Sequence, residues 1–202
     1  GAGVATDPDD HVWIIHRPGT VTEKKVCCKP APPVMEFDTA GKLLQSWSGA
    51  GNGYEWPLQS DEHGIFVDHR KNVWIAGRGA NGNTENQILK FDHQGKFVRS
   101  FGKEYHGGGH GIDMRIENGE QFLYLSDVLH GVVVKANLKG EHVWDLGKPP
   151  EPGVYQDPNA KYSPTNVAFS PDGGFYIGDG YGSHYIHQYD QNAKWVRTWC
   201  GL

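Results

Sequence analysis

The sequence predicts an all-β protein built from four copies of one four-stranded unit. An aromatic residue at the centre of the second strand of each copy (Trp13, Trp74, Tyr124 and Tyr176) recurs about every 50 to 60 residues. Each copy closes with a short polar turn and a fourth strand that contains an aromatic residue. A repeat of this length made of four short strands is one blade of a β-propeller.

The four blades are predicted at about 1–48, 60–102, 108–147 and 163–201. Short runs rich in Val, Ile, Trp, Tyr and Phe, separated by turn residues, mark the strands. In the first two blades these runs are 3–7, 11–15, 34–38 and 43–47, then 64–68, 72–76, 88–92 and 97–101. In the last two they are 111–114, 122–126, 132–135 and 142–144, then 166–169, 175–177, 185–190 and 195–199.

The composition agrees with short strands and excludes two classes of protein. The 28 glycines and 12 prolines in 202 residues supply turns. No stretch approaches the roughly 20 apolar residues of a membrane span. The net charge of −5 disfavours a nucleic-acid partner, which requires concentrated Lys and Arg. We therefore expect one domain over residues 1–202, with no nucleic-acid partner and no membrane span.

The number of blades predicts a longer ring. Four blades lie near the lower limit for closure, and an open ring leaves sheet edges uncovered. We expect the sequence to form about two thirds of a six-bladed ring, with roughly 90 residues lacking. A complete four-bladed ring is the alternative. Cys27, Cys28 and Cys200 form no C-x-x-C motif and predict no disulfide framework.

Propeller geometry predicts a site at the mouth of the central channel. The loop that enters each blade and the loop between its second and third strands lie on the same face. The entering position is His63 in the second blade and His110 in the third, each followed by Gly-Ile. Imidazoles from separate strands often bind zinc, so both are candidate ligands. The second set of loops supplies five further candidates: Arg17, Arg78, Asp127, Asp179 and Tyr181.

These candidates also have structural explanations. A histidine before a strand can bridge blades, an arginine can pair with a neighbouring aspartate, and Tyr181 can be a packed lid. Three other aspartates are predicted to be purely structural, because an Asp that opens a tight turn bonds its own backbone. They are Asp38, Asp92 and Asp190.

The repeats resemble NHL repeats, and four segments are similar to the peptidyl-α-hydroxyglycine α-amidating lyase family of six-bladed propellers. Segment 11–17 (HVWIIHR) is similar to the family's strand ending in Phe-His-Arg, and 34–46 followed by 63–65 resembles the stretch leading to its zinc-ligand His-Gly. Segment 124–130 (YLSDVLH) resembles its Val-Thr-Asp-Val-Ala-Leu-His. Segments 163–168 and 179–181 resemble its Gln-Pro-Thr-Asp-Val-Ala and Ser-Asp-Gly-Tyr.

The resemblance implies a zinc-dependent lyase that cleaves a carbinolamide to an amide and glyoxylate. Arg17 and Tyr181 are its implied catalytic residues, with Tyr181 as general base. His63 and His110 are its implied zinc ligands, and Arg78, Asp127 and Asp179 are candidates for contacts with a small-molecule or peptide-like substrate. Calcium is retained as an alternative structural ion. The resemblance alone favours a secreted or periplasmic location.

The sequence also departs from the family pattern, and two other functions stay open. The segments of Arg17 and Tyr181 are separated by one blade more than in the family. Only one of His63 and His110 therefore corresponds to the family's zinc ligand. The first alternative is a non-catalytic NHL propeller that binds a protein or glycan through exposed loop aromatics (Tyr54, Trp56, Tyr105 and Tyr155). The second is a calcium-dependent, gluconolactonase-like hydrolase. The oligomeric state is not predicted.

Overall fold

A computed structural model describes residues 3–21, 30–49, 56, 62–77, 88–105, 107–151 and 153–199. Sixteen strands in this part of the chain form four antiparallel sheets, each made of four strands that are consecutive in sequence, which confirms the all-β prediction. None of the described helices has the length and apolarity needed to cross a membrane. The chain divides into two compact units, residues 1–109 and 110–202.

The first unit contains two sheets that share a core. Its strands are β1 (Gly3–Thr6), β2 (Val12–Ile15), β3 (Val34–Phe37), β4 (Leu43–Trp47), β5 (Glu62–Val67), β6 (Val73–Gly77), β7 (Ile88–Phe91) and β8 (Phe97–Phe101). Strand β5 lies against both β1 and β2. Large apolar side chains from both sheets, including Trp13, Ile65 and Phe91, are buried between them. The first strands of consecutive blades are therefore neighbours, as a propeller requires.

The second unit also contains two four-stranded sheets that share a core. Its strands are β9 (Gly109–Glu117), β10 (Glu120–Asp127), β11 (Val132–Asn137), β12 (His142–Leu146), β13 (Asn166–Phe169), β14 (Phe175–Gly178), β15 (Ile186–Tyr189) and β16 (Trp195–Trp199). Strand β10 lies against β13. Aromatic rings dominate the core, where Tyr124 meets Phe175 edge to face and Phe175 stacks on Tyr189. Such pairs add to the free energy gained from burying apolar area.

The turns show why the repeat is regular. The Oδ1 atom of Asp38 accepts hydrogen bonds from the backbone N–H groups of Ala40 and Lys42, both at 2.9 Å. Asp92 and Asp190 make the same pair of bonds in their own turns. The prediction that these three aspartates are structural is confirmed. Each carboxylate satisfies two backbone donors that the turn would otherwise leave unpaired.

Strands β9 and β10 are longer than predicted. They run to the two-residue turn Asn118-Gly119, where φ is 51° and 85°. Positive φ at both central residues is typical of the type I′ turn, whose twist matches that of the two strands it joins. This hairpin extends the first two strands of the third blade beyond those of the other blades.

Candidate functional site

His63 lies inside strand β5, whereas the sequence placed it in the loop before that strand. The pairing register passes from Glu62 opposite Gly77 to Gly64 opposite Ala76, so His63 is the extra residue of a β-bulge. A bulge redirects its side chain and is common beside active sites. Because of the bulge, the side chains of β5 do not alternate regularly between the two faces of the sheet at His63.

Arg17 is held at the same end of β5. It follows β2, and its Nε donates a hydrogen bond to the carbonyl oxygen of Glu62 at 2.8 Å. Glu62 is fully buried, and Trp56 Nε1 donates to its Oε1 at 3.0 Å. Burial raises the pKa of the Glu62 carboxyl above its usual value. The first unit therefore brings Arg17 next to the residue that precedes His63.

A cavity of about 580 Å³ opens beside this group in the first unit. Prolines form much of its wall, including Pro18, Pro32 and Pro33, and Trp56 and Glu62 complete it. Proline rings and an indole give an apolar surface with little conformational freedom to lose. The cavity therefore suits an apolar portion of a ligand.

His110 in the second unit has a defined orientation. It lies within β9, and its Nδ1 is 2.6 Å from the carbonyl oxygen of Thr165. Because a carbonyl oxygen only accepts, Nδ1 carries the proton of the neutral ring and Nε2 carries the lone pair. A Cβ on the next residue, Gly111, would lie 2.6 Å from the same oxygen. The glycine therefore permits the close approach that fixes the imidazole.

Tyr181 meets His110, as the prediction of a shared site requires. The two ring centroids are 5.0 Å apart and the planes cross at 84°. Tyr181 is 59% exposed, so its phenol is accessible to a substrate. The turn that carries it follows β14, and its backbone N–H donates to Ser163 at 3.4 Å. Two predicted site residues that are 71 positions apart in sequence are thus in contact.

A second cavity, of about 720 Å³, contains a histidine that the sequence analysis did not select. Tyr181, His130, Lys148 and Lys161 are among the residues that line it. The Nδ1 atom of His130 lies 2.7 Å from Oδ2 of Asp127. The carboxylate can only accept here, so Nε2 of the neutral His130 ring carries a lone pair. The Asp-x-x-His spacing after a strand was a signal that could have identified this pair.

Asp127 and Asp179 are buried and bound to the protein itself. Asp127 accepts backbone hydrogen bonds from Leu129 and His130 at 3.0 and 2.8 Å. Asp179 accepts from the backbone N–H groups of Ser163 and Ser183, both at 2.7 Å. These bonds give both carboxylates a structural role, and their contact with substrate stays a prediction. Arg78, Tyr54 and the three cysteines lie outside the described residues.

Asp113 is a further candidate that the sequence did not indicate. It lies on β9, three residues after His110. Burial raises the pKa of its carboxyl to about 7. A carboxyl group with this pKa can give or take a proton at neutral pH. Perturbed groups of this kind are concentrated at functional sites, although isolated ones also occur elsewhere.

Comparison with known proteins identifies the fold but not a family. No protein-family model matches the sequence, and no curated protein matches it. Among solved structures, a protein of unknown function from Bacteroides caccae is 13% identical with a TM-score of 0.62, and the match covers 98% of this chain and 60% of that one. A gluconolactonase from Xanthomonas campestris is 11% identical with a TM-score of 0.61, covering 98% and 61%.

A catalytically inactive virginiamycin B lyase from Staphylococcus aureus, solved with quinupristin, is 12% identical with a TM-score of 0.63. That match covers 98% of this chain and 55% of the lyase. The chain thus spans little more than half the length of these structures. At such low identity the likeness extends to the fold alone. The four-stranded antiparallel sheets and these neighbours together show that the chain has a β-propeller fold.

Proposed function

We propose that this chain carries part of the active site of a propeller lyase that cleaves a carbinolamide to an amide and glyoxylate. The observation that carries the proposal is the contact between His110 and Tyr181. His110 has a lone pair on Nε2, the nitrogen that does not face Thr165, and Tyr181 has an accessible phenol. A small-molecule or peptide-like substrate fits the adjoining cavity of about 720 Å³.

The donor set around His110 fits a zinc ligand. Histidines that bind metals generally donate their other ring N–H to a carbonyl or carboxylate, as His110 does to Thr165. His110 would hold the ion in the second unit, and His63 stays a candidate ligand on the family resemblance alone. When bound, zinc supplies Lewis-acid polarisation of the substrate hydroxyl.

The residues of the chain account for proton transfer and substrate binding. Tyr181, as its phenolate, takes the proton of the carbinol hydroxyl as general base. The carbinol carbon then forms a carbonyl bond to its oxygen, the carbon–nitrogen bond breaks, and the amide nitrogen takes up the proton that Tyr181 removed. Arg17 binds the substrate carboxylate, for which a guanidinium is well shaped. Lys161, at the wall of the second cavity, supplies positive charge for an anionic group of a ligand bound there.

The test is glyoxylate release from an N-acyl-α-hydroxyglycine by the full chain. We expect Tyr181→Phe to lower kcat by about 10²- to 10⁴-fold, the usual contribution of a general base. Tyr185→Phe is the matched control, since that nearby ring packs on Tyr155, and its activity should stay close to that of the wild type. We expect His110→Ala to lower bound zinc as well as activity. Full activity of Tyr181→Phe would contradict the assignment.

A hydrolase is the second candidate, and the His130–Asp127 pair favours it. An imidazole held by a buried carboxylate is the usual arrangement of a general base that activates water or a hydroxyl group. Lactone hydrolysis that is lost in His130→Gln but retained in Tyr181→Phe would select this function. The opposite pattern would select the lyase.

A further inference from the structure

We propose that the first blade contains a separate site for a divalent transition metal, formed by Asp7, Glu36 and His93 with His11 beside them. The group lies in the first unit. Asp7 is in the β1–β2 turn, His11 comes just before β2, Glu36 is in β3 and His93 is in the β7–β8 turn. One ligand atom from each of Asp7, Glu36 and His93 lies within 4.8 Å of the others. The site is independent of the lyase proposal, since it shares no residue with it.

The two carboxylates are buried, and neutral donors satisfy Asp7, which accepts hydrogen bonds from the backbone N–H groups of Asp9 and His11 and from Trp13 Nε1 at 2.9, 3.0 and 3.3 Å. The side chains of Asp7 and Glu36 are 0% and 2% exposed. His11 Nδ1 lies 2.8 Å from Glu36 Oε1 and 3.7 Å from Asp7 Oδ2. Gln45 donates to Glu36 Oε2 at 2.6 Å. Placing two carboxylates side by side away from water is unfavourable unless a cation joins them.

Glu36 lies on the third strand of its blade, opposite the second-strand aromatic Trp13. The same position in two other blades contains a lysine. In the second blade Lys90 lies across from the central Trp74, and its Nζ is 3.9 Å from the turn residue Asp68. In the third blade Lys135 lies across from Tyr124 and pairs with Glu117. Each of these two acids thus has a lysine partner from the third strand.

The fourth and first blades depart from this pattern in different ways. The fourth has the uncharged Gln188 across from Tyr176, and the uncharged Ser170 begins its turn. The first has Glu36 across from Trp13, with Asp7 in the turn. Only in this blade, among the described residues, do both positions carry the same charge. In the proposed site a metal cation takes the place of the missing lysine, beside His11.

The histidines indicate which cation fits. Nε2 of His93 lies 3.9 Å from Glu36 Oε2, and the ring meets Trp13 edge to face. Its Nδ1 is buried and has no hydrogen-bond partner among the described residues. Mixed imidazole and carboxylate ligands suit zinc and its neighbours in the transition series, whereas calcium prefers oxygen ligands alone. A protonated His11 would supply a single positive charge against two negative ones.

The experiment uses the full chain carrying His63→Ala and His110→Ala, so that zinc bound by the predicted channel ligands does not contribute. We expect this parent protein to bind one zinc ion and its Tm to rise as zinc is added, because a ligand of the folded state stabilises it. Adding Glu36→Gln should weaken zinc binding about tenfold or more. Its metal-free Tm should equal or exceed that of the parent, since the substitution removes charge repulsion.

Two further variants separate the outcomes. Glu36→Lys restores the charge pair of the second and third blades, and should give a Tm that is high without metal and does not respond to zinc. His142→Gln is the matched control, since His142 forms an exposed pair with Asp145 at 3.2 Å, and it should keep the zinc response. Unchanged zinc binding in both Glu36→Gln and His93→Gln would overturn the proposal. The proposal would also be overturned if the Tm of the parent did not change with zinc but fell in His11→Gln. The compensating positive charge would then belong to the His11 imidazolium.

Discussion

Trp74→Ala is expected to lower the free energy of unfolding by about 3–5 kcal/mol, the usual cost of removing a large buried aromatic side chain. Trp74 is fully buried. Its Nε1 donates to Asp68 Oδ2 at 3.1 Å, and Lys90 Nζ lies 4.6 Å from the ring centroid. The substitution therefore leaves a cavity and also removes a hydrogen bond from a buried carboxylate. Because domains are stable by only about 5–15 kcal/mol, this loss is a large fraction of the total.

Urea denaturation followed by circular dichroism measures this change. The matched control is Trp199→Ala, because Trp199 lies on the last strand of its sheet and is 40% exposed. We expect the control to cost about 1 kcal/mol or less, since partly exposed side chains contribute less. Equal losses in the two variants would show that the second-strand aromatic is not the centre of the blade.

Much of the fold was predictable because the same pattern of four strands occurs four times in the sequence. Trp13, Trp74, Tyr124 and Tyr176 mark the second strand of each blade, and every one of those strands is observed. The extra length of β9 and β10 was missed, although Asn118-Gly119 is a strong hairpin signal. That signal was missed because the predicted strand ends followed the apolar residues alone, and β9 continues through polar positions such as Arg115 and Glu117.

The site was less predictable, because its details depend on contacts between distant residues. Blade geometry predicted that His110 and Tyr181, with other residues, lie at one channel mouth, and the rings of these two are in contact. The bulge at His63 depends on the pairing register between β5 and β6, and no local sequence pattern indicates it. Likewise, nothing in the local sequence distinguishes Glu36 from a solvent-exposed strand glutamate. Only comparison with Lys90 and Lys135 at the equivalent positions reveals the charge reversal in the first blade.

Asp113 also escaped prediction, because burial of a single carboxyl depends on the packing around it. Its effect on stability can be derived from the shift in its pKa. The folded-state value of about 7 is above the ordinary value of 3.8. Between these two values the folded protein binds more protons than the unfolded chain. The free energy of unfolding contributed by this group therefore falls as pH rises from about 4 to about 7, and stays at the lower level above that range.

Asp113→Asn should remove this dependence, because an amide has the shape of the carboxyl without its charge. We expect the variant to be more stable than the wild type by about 1–3 kcal/mol at pH 8, and to differ little at pH 4, where the folded wild-type carboxyl is neutral. The control is Asp145→Asn on β12, whose side chain is 58% exposed. Thermal unfolding at the two pH values gives the comparison. A stabilisation that is the same at both values would mean that Asp113 ionises as an ordinary surface carboxylate, and would remove it as a proton-transfer candidate.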